Sequence, residues 1–319
     1  MNEEFEKASK LGNMSVSNGK DCVIIRVEGQ AGEGFMTAYM LCDGVEILYN
    51  DFHMKHCVSY YHPETPNLIC LDHCREGRLE QHSDDLYYYF EAGDFRIDNR
   101  KKHDGNFEMP LAHYHGITIA IDIDKAEKSL SSELETFGID LRKIYKKFCE
   151  KQSGIPCIVR QNQTIEHIFS ELYNLPADIK KAYQKIKVLE LLLFLSVLDF
   201  SGERKEHLYF YRTNVEKVKA IYKLMTENLD KHYTLEWLAN EYDISLTQMK
   251  SCFKEVYGAP IFSFMREYRM NYAATLLKTT RDSVADIGIQ IGYDNPSKFI
   301  GAFKEIIGKT PLEYRKSFV

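Results

Sequence analysis

Along the chain the hydrophobic positions change period once. Between about Asp21 and Asp124, short runs rich in β-branched and aromatic residues alternate with turn residues: residues 22–27, 68–71, 86–90 and 117–121. Gly29, Gly34, Gly44, Gly77, Gly93, Gly105 and Gly116 punctuate them, which predicts antiparallel strands curled into a barrel or sandwich. From Lys125 the spacing becomes helical, with Leu130, Leu134, Phe137, Leu141, Ile144, Tyr145 and Phe148 three or four residues apart. Two further helices are expected over 164–173 and 177–200, separated at Leu175-Pro176. The second is apolar nearly all round in its C-terminal half, so it needs a partner on more than one side. One partner is its own domain; a second subunit is the other, with Leu192 and Leu195 placed on the dimer face. If a charge there unfolds the chain instead of splitting a dimer, that face is internal core.

Residues 201–206 are polar and punctuated, as a linker would be. Everything after Asn214, read as an N-cap, is helical in pattern. The expected fold is therefore α+β. A β-rich domain with a helical dimerisation segment spans 1–200, a linker 201–213, and an all-α domain 214–319.

Two helix–turn–helix units can be placed in that last domain. Thr234 caps a short helix turning Leu235, Leu238 and Ala239 inward. After a turn at 242–244, Ser245 opens a second helix, with Gln248 completing a capping box. Met249, Cys252, Phe253 and Val256 form its inner face, and Gly258 stops it. Some fifty residues later Ser283, the turn at 292–294, the Asn295-Pro296 start and Gly308 repeat the design, with Phe299, Phe303, Ile306 and Ile307 inward. One long helix over 260–278 joins the units.

Charge sharpens this picture. The net charge of the 319-residue chain is −6, which read as an average argues against a nucleic-acid partner. It is not evenly spread: residues 211–319 carry 16 Lys and Arg against 13 Asp and Glu, and the first 210 carry 25 against 34. Residues 1–10 are charged and do not read as a secretory leader, and the apolar stretch 191–198 is too short to span a bilayer. Eight cysteines without a CxxC pair suit reduced thiols in the cytoplasm. Gly308-Lys309-Thr310 lacks the earlier glycine of a phosphate loop, Gly32-Glu33-Gly34 lacks the third glycine of a dinucleotide fingerprint, and neither HExxH nor GxSxG occurs.

The run from about Asn214 to Arg315 resembles the DNA-binding domain of the AraC/XylS family of bacterial transcriptional regulators. Leu235, Leu238, Ala239, Ser245, Phe253, Lys254, Gly258, Arg269, Ala273, Leu276, Leu277, Val284, Ile287, Gly292, Tyr293, Phe299, Phe303, Lys304, Gly308, Thr310, Pro311, Tyr314 and Arg315 carry the resemblance. It implies two recognition helices presented to successive major grooves. Thr247, Lys250 and Ser251 would face bases in the first, and Ser297, Lys298, Ile300 and Gly301 in the second. Lys254, Lys304, Thr310 and Arg315 would meet phosphate. Double-stranded promoter DNA, a second copy of the chain and, for an activator, RNA polymerase are the implied partners. Ser251 and Gly301 depart from the family, which often places arginine there, so shape, phosphate contacts and dimerisation should outweigh guanine readout.

The resemblance also implies an effector-binding front domain, and residues 73–78 look like the front domains of siderophore-type members. Tyr87, Tyr89 and His73 are the candidates for an effector pocket. Eight of the eleven histidines lie between His53 and His115, interspersed with cysteines. His73, Cys74, His113 and His115 are accordingly candidate ligands for a metal or haem. No local spacing matches a common zinc motif, and core packing explains these residues equally well. Three functions stand side by side: an effector-controlled regulator, a metal- or haem-responsive one, and a cysteine-based alkyl-transfer repair enzyme. The cysteine spacing disfavours the last, and no enzymatic activity is expected.

Overall fold

The computed structural model describes residues 14–29, 32–58, 67–83, 85–101, 106–150, 156–198 and 210–318. The chain divides into two compact units between Tyr209 and Phe210.

The first unit is a curled antiparallel sheet with helices on one face. Its strands are β1 (Met14–Asn18), β2 (Val23–Gly29), β3 (Gly32–Cys42), β4 (Val45–His53), β5 (His56–Val58), β6 (Leu68–Ser83), β7 (Leu86–Glu91), β8 (Asp94–Asp98), β9 (Asn106–Glu108), β10 (Tyr114–Asp122) and β11 (Cys157–Arg160). Strand order runs β1-β2-β3-β4-β10-β6-β7, with β8 and β9 also pairing β6, β11 pairing β8 and β5 pairing β9. Alternation along the central strands sorts the side chains. Ile47, Ile69, Leu71, Ile117, Ile119 and Ile121 point to one face, where α1 (Ile123–Ser129), α3 (Leu141–Tyr145), α4 (Gln163–Tyr173) and α5 (Lys180–Val197) pack. Leu68, Cys70, Asp72 and Ala120 point to the other face.

Several expectations about this unit need correcting. The long helical run from Leu130 is broken into α1, α2 (Ser131–Phe137), α3 and a π-turn over Lys146–Glu150. Asp122 and Asp140 cap α1 and α3, Gly138 in the left-handed region ends α2, and Phe137 is half exposed instead of packed. Strand β11 interrupts a region expected to be helical throughout; four residues are too few to establish a period.

The dimer-face residues are also reassigned. Leu192 and Leu195 are fully buried against the sheet, while Ile186, Leu193 and Val197 are the exposed apolar positions of α5. The face with most apolar area goes to the core, where each leucine contributes about 1.5–3 kcal/mol. A charge at Leu192 or Leu195 therefore unfolds the unit. Residues 199–209, which hold most of the expected linker, lie outside the described residues.

The second unit is helical: α6 (Arg212–Glu227), α7 (Leu235–Glu241), α8 (Leu246–Tyr257), α9 (Ile261–Thr279), α10 (Val284–Gln290), α11 (Pro296–Ile307) and α12 (Pro311–Lys316). Helix α6 begins at Arg212, so Asn214 sits in its first turn and is not its cap. Val215, Val218, Ile221 and Met225 are its buried stripe. Helix α9 packs against α8, α10, α11 and α12 and is the spine of the unit.

Candidate nucleic-acid interface

The two helix–turn–helix units are built by local chemistry. Thr234, Ser245, Ser283 and Asn295 each accept the backbone N–H three residues on, satisfying donors that a helix start leaves orphaned. Gly258 and Gly308 adopt φ of 80° and 83°, stopping α8 and α11 thirteen residues after their caps. The reciprocal half of a capping box is absent from the bonds at Ser245, whose hydroxyl instead donates to Gln248 Oε1 at 3.0 Å. Both halves are made at Thr310 and Glu313.

With Met249, Cys252, Phe253 and Val256 buried, Thr247, Lys250, Ser251 and Lys254 are left on the opposite face of α8; Ser251 is half-buried and the others are exposed. With Phe299, Ala302 and Phe303 buried, Ser297, Lys298, Ile300, Gly301 and Lys304 are exposed on α11. Thr247, Lys250/Ser251 and Lys254 recur as Ser297, Ile300/Gly301 and Lys304, a register of fifty residues at helical spacing. Nothing lies within 4 Å of a Cβ built on Gly301, so that face is open to a longer side chain.

The two units are tied together inside the domain. Arg269 on α9 donates to the carbonyls of Leu229 (3.1 Å) and Lys231 (2.9 Å), just before α7. His232 Nε2 lies 2.7 Å from the carbonyl oxygen of Gly292, in the turn of the second unit. A Cβ on Gly292 would stand 2.8 Å from the Leu229 carbonyl oxygen, and its φ of 82° also demands glycine. Arg266 and Glu305 pair at 3.0 Å to join α9 to α11.

Two phosphate candidates are used for structure instead. The Thr310 N–H and hydroxyl both donate to Glu313 Oε2 at 2.8 Å, placing a carboxylate where a phosphate was expected. Arg315 is half-buried and donates to the carbonyls of Leu277 (3.3 Å) and Asp282 (2.7 Å). The lone tryptophan, Trp237, is exposed on α7 and stacks on Tyr233 at 5.1 Å, outside any apolar period.

In the first unit, the effector candidates are not brought together by any described contact. His73 is buried on the helix side: its ring stacks on Phe169 at 4.5 Å, Nδ1 meets the Tyr173 hydroxyl and Nε2 meets Glu166, both at 3.2 Å. Burial holds this imidazole below its ordinary range, and Glu166 only partly offsets it. The buried Tyr89 donates to Glu80 at 2.8 Å, and half-buried Tyr87 lies against His82. Cys74 faces away from His73, in the apolar cluster with Phe90 and Tyr114. The pairing of His73 and Cys74 as metal ligands therefore fails, because successive strand residues point to opposite faces. His113 turns Nδ1 to the Leu111 carbonyl at 3.3 Å. Burial pushes the Cys57 thiol up to about 11 and Cys70 to about 12, with Cys74 and Cys149 also raised. None of these four is poised as a thiolate nucleophile.

No local sequence pattern announces the buried ionic group on the sheet face away from the helices. Arg96 Nε donates to Asp72 at 2.9 Å, Arg100 meets both Asp72 oxygens at 2.7 and 2.8 Å, and the Thr118 hydroxyl donates to Asp72 at 2.8 Å. Arg96 also bonds Gln81 and lies over the Phe90 ring. Burial alone would raise the Asp72 carboxyl, but Arg100 and Arg96 overcome it and hold it below the usual carboxylate range.

A family model described as a helix-turn-helix domain matches residues 238–317. The HTH-type transcriptional activator RhaR of Mannheimia succiniciproducens is 24% identical over 162 residues, covering 50% of this chain and 59% of that protein. The F1 operon positive regulatory protein of Yersinia pestis is 34% identical over 99 residues, 31% of this chain and 33% of that one. Among solved structures, the C-terminal domain of the two-component response regulator yesN from Fusobacterium nucleatum is 30% identical. The match covers 31% of this chain and 95% of that chain with a TM-score of 0.29. The chain spans about half the length of curated relatives such as RhaR and the virulence regulon transcriptional activator VirF of Yersinia enterocolitica.

Proposed function

Because the C-terminal unit is a helix-turn-helix DNA-binding domain of the AraC/XylS type, we propose that the whole chain is a sequence-specific transcriptional regulator controlled through its β-rich front domain. The observation that carries this reading is the repeat on α8 and α11: matching exposed faces, at the same spacing from matching caps, on helices locked to a common spine. Thr247, Lys250 and Ser251 on α8, with Ser297, Lys298, Ile300 and Gly301 on α11, are its base-facing residues. Lys254 and Lys304 are its phosphate contacts; Thr310 and Arg315 are not retained. The protein acts in the cytoplasm on promoter DNA, and the relatives' printed roles in transcription favour regulation over catalysis.

Affinity should fall steeply with salt, at about −0.9 log units per neutralised phosphate. Lys254→Ala and Lys304→Ala should each flatten that slope by about one unit in fluorescence-anisotropy titrations across a salt series. Unchanged slopes in both variants would remove these helices from the DNA.

Direct readout has its own test. Gly301→Arg meets no obstruction and should raise helix stability by roughly 0.5–1 kcal/mol, since glycine is poor within a helix. It should also add a guanine preference worth about 1–3 kcal/mol at one base pair. If binding-site selection returns the same preference at every base, Gly301 does not face bases.

An effector bound in the front domain belongs to the same reading. A ligand that binds the folded domain must raise its melting temperature. A homodimer through the exposed Ile186, Leu193 and Val197 stripe completes the reading; Leu193→Glu should then convert the dimer to a folded monomer in sedimentation experiments.

A further inference from the structure

The antiparallel register of β4 and β10 sets Asp51 directly opposite His115, with His53 two residues on and therefore on the same face. Asp51 Oδ1 lies 2.9 Å from His53 Nε2 and 2.8 Å from His115 Nε2, and the two imidazole nitrogens are 3.3 Å apart. Three donors bonded to one ion at about 2.1 Å stand about 3.0 Å apart at octahedral right angles, and about 3.4 Å apart at tetrahedral ones. The 3.3 Å edge between the two nitrogens falls between those limits, and the two edges to the carboxylate lie just under the octahedral one.

Protons fit this arrangement poorly. Each imidazole can satisfy the carboxylate only by donating from Nε2, and that turns two N–H groups toward each other across 3.3 Å. A divalent cation replaces both protons and takes all three lone pairs. The tautomer it would leave on His115 carries its proton on Nδ1, and that nitrogen lies 3.7 Å from Glu76 Oε2. A carboxylate behind a metal-binding histidine fixes the ring and raises its basicity.

Glu76 owes its position to a bulge. Strand β6 pairs Cys74 with Gly116 but Glu76 with His115, so Arg75 is a surplus residue. In a regular, unbulged register Arg75 would stand opposite His115, and its guanidinium would oppose any cation. Arg75 is turned instead over the Tyr173 ring, 4.9 Å from its centroid, with its Nε 3.5 Å from Glu76 Oε1, the oxygen that does not face His115. Gly77 makes the turn possible: its φ is 85°, and a Cβ there would come within 2.2 Å of the His113 carbonyl oxygen.

The geometry points to a binding site for a divalent first-row transition ion, formed by Asp51, His53 and His115, with Glu76 as the outer partner of His115. Two imidazoles and one carboxylate select zinc, nickel, cobalt or copper over the all-oxygen preferences of magnesium and calcium. The three ligands are solvent-exposed to different degrees, with His115 the most covered, which leaves room for water to complete the shell. This site does not depend on the DNA-binding reading.

The test uses the full chain without a histidine tag, stripped by chelator and titrated with Co²⁺ followed by visible absorbance, then challenged with Zn²⁺. One Co²⁺ should bind per chain and be displaced by one Zn²⁺, with no competition from millimolar Mg²⁺. His53→Ala and His115→Ala should each weaken Zn²⁺ binding at least about 100-fold, and Glu76→Gln about tenfold, the low end for an outer-shell partner. Asp51→Asn, which keeps the side-chain shape, should also weaken it, and circular dichroism checks each variant's fold. Undiminished one-to-one binding in the folded His53→Ala/His115→Ala variant would overturn the site. So would failure of the wild-type chain to bind Zn²⁺ in the same titration.

Discussion

Replacing Asp72 with alanine should destabilise the front unit by about 3–5 kcal/mol, the cost of stranding buried charge when one partner of an ion pair is removed. Arg96 and Arg100 both lean on this carboxylate; Arg96 is fully buried, while Arg100 is mostly covered and keeps Asp98 as a second partner. At an m-value near 2 kcal/mol per M, the urea midpoint of that unit should drop by about 2 M. The position of the single tryptophan makes the measurement clean. Trp237 belongs to the second unit, so its fluorescence should report an unaltered transition while circular dichroism reports the early loss of the sheet.

The same residue sets an acid limit. Folded Asp72 binds a proton less readily than it does unfolded. Its contribution is therefore complete above the unfolded value of about 3.9 and is lost as pH falls through the depressed folded value. Buried His73 acts in the same direction from a higher pH, because the unfolded imidazole takes up protons that the folded one refuses. Unchanged urea and acid transitions in Asp72→Ala would mean the ionic group is not buried in solution.

Phe299→Ala should abolish the second reader. The ring is fully buried, packs with Phe303 and Tyr293, and lies against Gly288. Truncating such a side chain costs about 3–5 kcal/mol, enough to loosen α11 from α9. Specific DNA binding exceeds non-specific binding by about 4–10 kcal/mol, and losing half of that should weaken specific affinity at least about 30-fold. Non-specific binding should change far less. A folded variant within threefold of wild type on specific DNA would show that α11 adds little to recognition.

The parts of the second unit that could be read from sequence are those settled within a few residues. A hydroxyl or amide ahead of an apolar period, and a glycine thirteen residues later, need no distant partner, and Thr234, Ser245, Ser283, Asn295, Gly258 and Gly308 fall where the spacing puts them. Asn214 misled because a good capping residue is equally at home in a first turn. The front unit was legible in class but not in detail. Both faces of α5 are apolar, so only packing decides that Leu192 and Leu195 go in while Leu193 and Val197 stay out. Asp51 and His115 are 64 positions apart and meet through strand register alone. The sequence clue was the alternation in Asp51-Phe52-His53 and His113-Tyr114-His115, which puts like residues on one face. Nothing in it showed which strand would lie alongside which.

The bulge at Arg75 has a consequence for the whole length of β6. Before it, Ile69, Leu71 and His73 look toward the helices while Asp72 looks away; after it, Leu79 and Gln81 join the side Asp72 faces. The strand thus changes parity midway. Its sixteen residues behave as two strands spliced out of step, one half completing the helix-covered core and the other closing the opposite side through β7. Losing one residue from the splice would turn either half inside out, so the length of this segment is as strictly encoded as its composition.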